Sequence, residues 1–338
     1  MRVRPGKGSR PRTRRRPAHE DAVAAFVVAV DRGRYTCLVG GDVAEAPGGA
    51  DGRRARKRGD EPRPVTAMRA RELGRKGIVV GDRVSLVGDT SGNPDTLARI
   101  VRIEPRTSML RRSADDTDEM ERPIVANADQ LVIVTALADP PPRPRMIDRM
   151  LVAAFDADIE PLLCLTKADL ATPDELVARY EPLGVPYIVV RKGGELEEVR
   201  SRLKDRLSVL VGHSGVGKST LVNALVPDAG RAVSHVNAVT GRGRHTSSSA
   251  VALELPGGGW IIDTPGVRSF GLGHVVIDNV LAAFPALAEG AVHCPKGCSH
   301  RGEECSLDEW VAQGHADPMS LASLRRLLAS RDGEPDDD

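Results

Sequence analysis

The rhythm of apolar and polar positions changes twice along this chain. Residues 1–20 carry no apolar period and are expected to be disordered. Between 21 and 104 the apolar residues come in short runs, "AFVVAVDRGRYTCLVG", "GIVVGDRVSLVG" and "TLARIVRIEP". Polar residues interleave with apolar ones and glycine closes the runs, as strands of a small barrel require. From about Ile124 the pattern shifts. "QLVIVTAL" is almost unbroken apolar sequence, the mark of a strand covered on both faces of a parallel sheet. "MIDRMLVAAFDA" has helical spacing, "EPLLCLTKAD" reads as a strand, and "TPDELVARYEPLG" as a capped helix ending at glycine. "PYIVV", "LSVLV" and "WIID" are further strands, with "STLVNALV" opening a helix. Strands alternating with helices predict an α/β domain with a mostly parallel sheet. From about Leu272 the chain reads as short helices around a Cys/His cluster. The expected divisions are a basic arm (1–20), a barrel (21–110), an α/β domain (111–272), a helical metal-binding domain (273–330) and an acidic tail (331–338).

Composition changes this picture in a few places. The chain has 338 residues, 41% of them apolar, enough for two or three domains with a sizeable core. Aromatics are only 3%, so large aromatic platforms do not dominate any base recognition. The net charge of +1 conceals an asymmetry: eight basic side chains and no acid lie in residues 1–16, and the chain ends in "DGEPDDD". Such an arm is attracted to phosphate, or else simply solubilises the chain. A second basic cluster, Arg53–Arg58, sits in a Gly/Pro-rich loop between barrel strands and reads either as a solvated insertion or as a nucleic-acid contact. No run of 18 apolar residues spans a membrane. "AVAAFVVAV" follows "RRR" as a signal peptide's apolar region would, but Glu20 and Asp21 intervene and no cleavage pattern follows, so it reads as a first strand.

The chemistry begins at "LVGHSGVGKST". Gly212, Gly217, Lys218 and Ser219 fit G-x-x-x-x-G-K-[ST], placed between a strand and a helix as a phosphate loop must be. The loop Gly212, His213, Ser214, Gly215, Val216, Gly217 turns backbone N–H groups toward phosphates, and Lys218, Ser219 and Thr220 start the helix whose N-terminus favours anions. Lys218 is placed to reach the β- and γ-phosphates and Ser219 to ligate Mg²⁺. Asp263 ends a strand and opens "DTPG", where a carboxylate holds Mg²⁺ and the Gly266 N–H meets the γ-phosphate.

"TKAD" supplies the base reader. Asp169 accepts from guanine N1–H and the 2-amino group; adenine lacks both donors and would leave the carboxylate unpaired. Lys167 lays its stem along the base. Thr166 stands where asparagine is usual, with a hydroxyl but no amide, and predicts weaker base affinity. The reader precedes the phosphate loop, the reverse of the ordinary order. Loops at the carboxyl ends of parallel strands share one crevice whatever the chain order, so the arrangement is that of a circularly permuted GTPase domain.

Within "TGRGRHTSSS", Thr246 is the candidate switch threonine for Mg²⁺ and the γ-phosphate, with Thr240 second. Val267 follows "DTPG" where a water-orienting glutamine is common; valine cannot orient water. His245, beside Thr246, is the candidate replacement, the alternative being a solvent- or RNA-facing histidine. Near the C-terminus Cys294, Cys298, His300 and Cys305 form a closed tetrahedral donor set of the kind that holds one structural Zn²⁺. His293 is an adjacent substitute. Cys37 and Cys164 lie in strand patterns as core residues.

Taken together, "MIDRMLVAAFDADIEPLLCLTKADL", "LVGHSGVGKSTLVNAL", "GRGRHTSSS", "IIDTPGVRSF" and the cysteine cluster closely resemble the ribosome small-subunit-dependent GTPase A family (RsgA, also called YjeQ), over residues 21–325. The resemblance implies an N-terminal OB-fold barrel, a permuted GTPase and a C-terminal zinc domain. It implies GTP hydrolysis to GDP stimulated by the small (30S) ribosomal subunit and its rRNA, a late role in maturing that subunit, and a part for His245 in hydrolysis. The cysteine spacing, C-x₃-C-x-H-x₄-C, is shorter than the family's in two loops, and "VVRKGGEL" replaces a short Ser-Ala-type base loop, so no residue of Val190–Gly194 is assigned. The chain is expected to be a cytoplasmic monomer. A low-turnover GTP/GDP-sensing RNA-binding module is the competing reading, and a P-loop ATPase is opposed by Asp169.

Overall fold

The computed structural model describes residues 19–40, 61–74, 77–113, 121–227, 229, 250–264, 272–302 and 304–332. Five strands close the N-terminal barrel: β1 (Val23–Asp31), β2 (Arg34–Val39), β3 (Arg63–Arg69), β4 (Arg83–Val87) and β5 (Ala98–Ile103). They run in the order β1-β2-β3-β5-β4, and β4 pairs back onto β1. The third run of the sequence pattern therefore joins the second as an antiparallel pair, β4–β5, while β3–β5 is parallel. Ala25, Val27, Tyr35, Cys37, Val65, Leu86 and Ile100 fill the interior. The first sequence run divides at Arg32 and Gly33, both at positive φ, into the β1–β2 hairpin.

The alternate residues of β1 explain its unbroken apolar character. Phe26 and Val28 point away from the barrel interior into a second core shared with the α/β domain, where Phe26 meets Trp260 at 5.4 Å between ring centroids. Covered on both faces, β1 has no polar side.

The α/β sheet contains β8 (Gln130–Ala136), β9 (Glu160–Thr166), β10 (Tyr187–Val189), β11 (Leu207–Val211), β12 (Val251–Glu254) and β13 (Trp260–Asp263). Its order is β10-β9-β8-β11-β13-β12, parallel except for β12, whose outer edge pairs with β1 at Ala29↔Val251. The hairpin β6 (Met109–Ser113) and β7 (Glu121–Ala126) joins barrel to sheet. Here the linker is held by polar groups: Asp82, fully buried, accepts from Arg106 Nε at 2.7 Å, and Asn127 Nδ2 donates to the Gly81 carbonyl at 2.8 Å. This hairpin carries no clear alternating pattern in the sequence.

Helices α1 (Pro144–Asp156), α2 (Asp174–Tyr180), α3 (Glu197–Leu203) and α4 (Lys218–Leu225) cover the sheet. The helix expected over 172–184 is shorter: α2 starts after Pro173 with no side-chain cap, continues as a 3₁₀ turn over Glu181–Leu183, and stops at Gly184 in the left-handed region. Pro182 is the reason, since its ring removes the donor that the α-helical pattern needs. The C-terminal unit has α5 (Ile277–Leu281), α6 (Pro285–Ala291), α7 (Ser306–Ala312) and α8 (Pro318–Asp332). α8 lies on α1, where Asp148, fully buried, faces Arg326 at 3.2 Å and Arg179 at 3.9 Å. Among the described residues no helix is long and apolar enough to cross a membrane.

Candidate nucleotide site and metal centre

The site forms where β8, β9, β11 and β13 end side by side. β11 leads into the phosphate loop at Gly212, whose φ of +155° and close approach to the Val134 carbonyl leave no room for a side chain. The loop closes at Gly217, the N-cap of α4. Gly215, Gly217 and Thr220 then line a pocket of about 540 Å³ whose opposite wall is Thr166, Lys167 and Asp169, from the end of β9. The motif for the base and the motif for the phosphates thus share one cavity, with β8 between their strands.

Thr166 is buried, 5% exposed, in the wall of the pocket. Its hydroxyl donates to the Val216 carbonyl in the phosphate loop at 2.6 Å and lies 3.2 Å from the Thr135 carbonyl. Thr166 thus ties the base motif to the phosphate loop. Lys167, at positive φ, donates from Nζ to the Asp139 carbonyl. Asp169 Oδ1 accepts the Lys192 backbone N–H at 3.3 Å, which draws Val190–Gly194 against the pocket. No sequence motif marks these residues; the parallel pairing of β10 on β9 delivers them.

On the far side, Lys218 Nζ bonds Asp263 Oδ1 and lies 3.4 Å from the Thr264 carbonyl. Ser219 and Thr220 are exposed on the first turn of α4. His213 is largely buried, with Nδ1 3.0 Å from the Ser214 carbonyl. A glycine-rich loop at a helix N-terminus, a lysine, a hydroxyl and a carboxylate fit a nucleotide phosphate chain with Mg²⁺. His245, Thr246, Thr240, Gly266 and Val267 lie outside the described residues, as do the 1–16 arm and Arg53–Arg58.

The second cluster is compact. The ligand atoms of Cys294, Cys298, His300 and Cys305 all lie within 4.8 Å of one another. Cys294 Sγ is 3.9 Å from Cys305 Sγ and 3.6 Å from His300 Nδ1. Burial pushes the Cys305 thiol up to about 11 and lowers the His300 imidazole, favouring the neutral form that ligates a metal. His293 is not in the set; its ring lies tilted against Trp310, 5.6 Å between centroids. The donor chemistry fits a tetrahedral metal.

The family description "RsgA GTPase" matches residues 103–273. The small ribosomal subunit biogenesis GTPase RsgA of Pseudomonas aeruginosa is 41% identical over 263 residues, 75% of this chain and 76% of its own length. This chain belongs to the RsgA GTPase family. The RsgA of Azotobacter vinelandii is 40% identical over 263 residues, covering 75% of both chains. In fold the chain is similar to the crystal structure of YjeQ from Thermotoga maritima (TM-score 0.64, 24% identity, 93% of this chain and 100% of that one). It is also similar to YloQ, a circularly permuted GTPase (TM-score 0.63, 21% identity, 95% and 99%). The chain is accordingly a GTP-hydrolysing enzyme, and membership of the family implies a guanine nucleotide and Mg²⁺.

Proposed function

We propose that this RsgA-family chain hydrolyses GTP to GDP and phosphate during biogenesis of the small ribosomal subunit, in the cytoplasm, with the subunit as its stimulating partner. One observation carries the reading: Asp169 and the phosphate loop face each other across a single pocket large enough for a nucleoside. In this reading Asp169 pairs with guanine N1–H and the 2-amino group. Lys167 flanks the base, and the N–H groups of 212–217 with Lys218 hold the phosphates. Lys218 leaves Asp263 for the nucleotide, because a phosphate oxygen carries more charge than a partly solvated carboxylate. Ser219, Asp263 and Thr246 hold Mg²⁺, which when bound neutralises charge on the phosphates. His245 takes the place of the missing glutamine near the attacking water.

The relatives' names supply the partner, and the basic arm at 1–16 and the barrel supply the RNA-facing surface. The cysteine cluster is assigned to zinc. Tetrahedral Zn–S bonds of about 2.3 Å place sulfurs about 3.8 Å apart, close to the 3.9 Å between Cys294 and Cys305.

The test is turnover of GTP and ATP with and without purified small subunits, for wild type and Asp169→Asn. The expected result is subunit-stimulated GTP turnover, no ATP turnover, and loss of GTP affinity in the variant. Equal use of ATP, or indifference to the subunit, would sink the reading.

A further inference from the structure

The metal centre is held by more than its four donors. His300 lies between Cys298 and Cys305 with its backbone at φ +59°, in the left-handed region where a residue with a Cβ is strained. Such a conformation persists only where its surroundings impose it. Here both backbone polar atoms are engaged. The His300 N–H lies 3.3 Å from Cys298 Sγ. The His300 carbonyl accepts from Arg325 Nε of α8 at 3.1 Å. With the backbone so fixed, the buried ring places Nδ1 3.6 Å from Cys294 Sγ and 3.8 Å from Cys305 Sγ.

The rest of the Arg325 guanidinium reaches the other half of the cluster. Its Nη1 and Nη2 donate to Asp308 Oδ1 and Oδ2 at 2.8 and 2.6 Å, and Asp308 stands in the first turn of α7, just after Cys305. One planar fork thus bridges the segment bearing Cys298 and His300 and the segment bearing Cys305. A lysine has a point charge and no such fork. The helix that carries Arg325 is itself fixed. Leu321, Leu324, Leu327 and Leu328 bury it in the core that also takes Cys305 and Leu307. The next residue, Arg326, bonds Asp148 of α1 at 3.2 Å. Three thiolates around one divalent cation also leave a net negative charge, which a guanidinium bonded to a ligand's own backbone offsets.

We propose that Arg325 is a positioning residue of the metal centre: from α8 it fixes the left-handed backbone of His300 and the start of α7, and so holds the imidazole and the Cys305 thiolate at one tetrahedral site. The proposal rests on the assignment of the cluster to zinc above. Arg325 is not one of the four donors, so its loss leaves the ligands in place but unfastened. The walls of the nucleotide pocket contain neither Arg325 nor any residue of the cluster, so nucleotide affinity does not depend on it.

The experiment measures zinc transfer to a chromophoric chelator, the absorption spectrum of the Co²⁺-substituted protein, and affinity for a fluorescent GDP. It uses the full chain as wild type, Arg325→Gln, Arg325→Lys, Asp308→Asn and Arg331→Gln. Arg325→Gln is expected to release zinc about tenfold faster or more, as when an outer partner of a metal ligand is removed, with altered Co²⁺ bands and GDP affinity within about twofold of wild type. Arg325→Lys recovers only part of the loss, because it keeps the charge and not the fork. Asp308 is exposed, so Asp308→Asn leaves the core alone; it releases zinc at a rate between wild type and Arg325→Gln, and it tests the proposal even if the glutamine variant does not fold. Arg331→Gln removes another α8 arginine, one bonded to the Val275 carbonyl instead of the cluster, and keeps the wild-type rate. Wild-type release in Arg325→Gln and Asp308→Asn overturns the proposal. Equal acceleration in Arg331→Gln overturns it too, since that marks a loosened helix and not a positioned ligand. A wild-type chain that takes up neither Zn²⁺ nor Co²⁺ removes the metal assignment and this proposal with it, and leaves the GTP reading standing.

Discussion

Replacing Thr166 with valine keeps the shape of a buried side chain and deletes one hydroxyl. That hydroxyl has a single proton, and the 2.6 Å contact with the Val216 carbonyl is the bond it makes. The carbonyl sits in the phosphate loop, on a residue that is itself fully buried, so water cannot replace the lost donor. Leaving a buried acceptor unsatisfied costs about 1–3 kcal/mol. In a domain of this size each kcal/mol lowers the thermal midpoint by about 2–4 °C. Any part of the cost borne only by the nucleotide-bound loop appears in affinity instead, at about tenfold per 1.4 kcal/mol. Thermal unfolding and fluorescent-GDP titration of Thr166→Val, with Thr166→Ser as the hydroxyl-retaining control, separate the two shares. A valine variant with wild-type midpoint and wild-type affinity would show that the tie between base strand and phosphate loop carries no energy, and the account of Thr166 would be wrong.

Gly81→Ala should be severely destabilising without touching the site, because its φ is +91° and a methyl there overlaps the Ala126 carbonyl at the barrel joint; the thermal midpoint reports it. Removing metal with a strong chelator, or making Cys298→Ala, should release about one equivalent of zinc, measured by elemental analysis, and loosen α6–α8 while GDP affinity persists. Asp308 accepts two bonds from Arg325, at 2.8 and 2.6 Å, which hold its carboxyl below the ordinary 3.8. A carboxylate depressed in the folded state stabilises above its unfolded pKa and loses that contribution as pH falls through the folded value. The pair is exposed, so the gain is at most about 1 kcal/mol. Carboxyl NMR titration should show Asp308 moving back up in Arg325→Gln, and the stability gap between wild type and Asp308→Asn closing at acid pH.

Local sequence determined a great deal here. Strand and helix periods, the phosphate loop, the "TKAD" turn and the four metal donors are all short-range patterns, and each needs only a few consecutive residues to be recognised. The reversed motif order was equally plain, and parallel strands with loops at one edge made a shared crevice its physical consequence. Tertiary structure decided the partnerships. The apolar run of β1 looked like an ordinary strand, or the core of a signal; only the neighbouring β12 and Trp260 reveal why it is apolar on both faces. Thr166 carried a hydroxyl in the sequence, but its bond to the Val216 carbonyl depended on β8 bringing the ends of β9 and β11 to the same edge of the sheet. Residues 190–194 had no motif at all and reached the pocket because β10 docks on β9. Asp156 was one acid among 47 until a stretch 120 residues away folded back onto it. Periodicity is written within one element, whereas a hydrogen bond between elements depends on which of them become neighbours, and that is settled only when the sheet assembles.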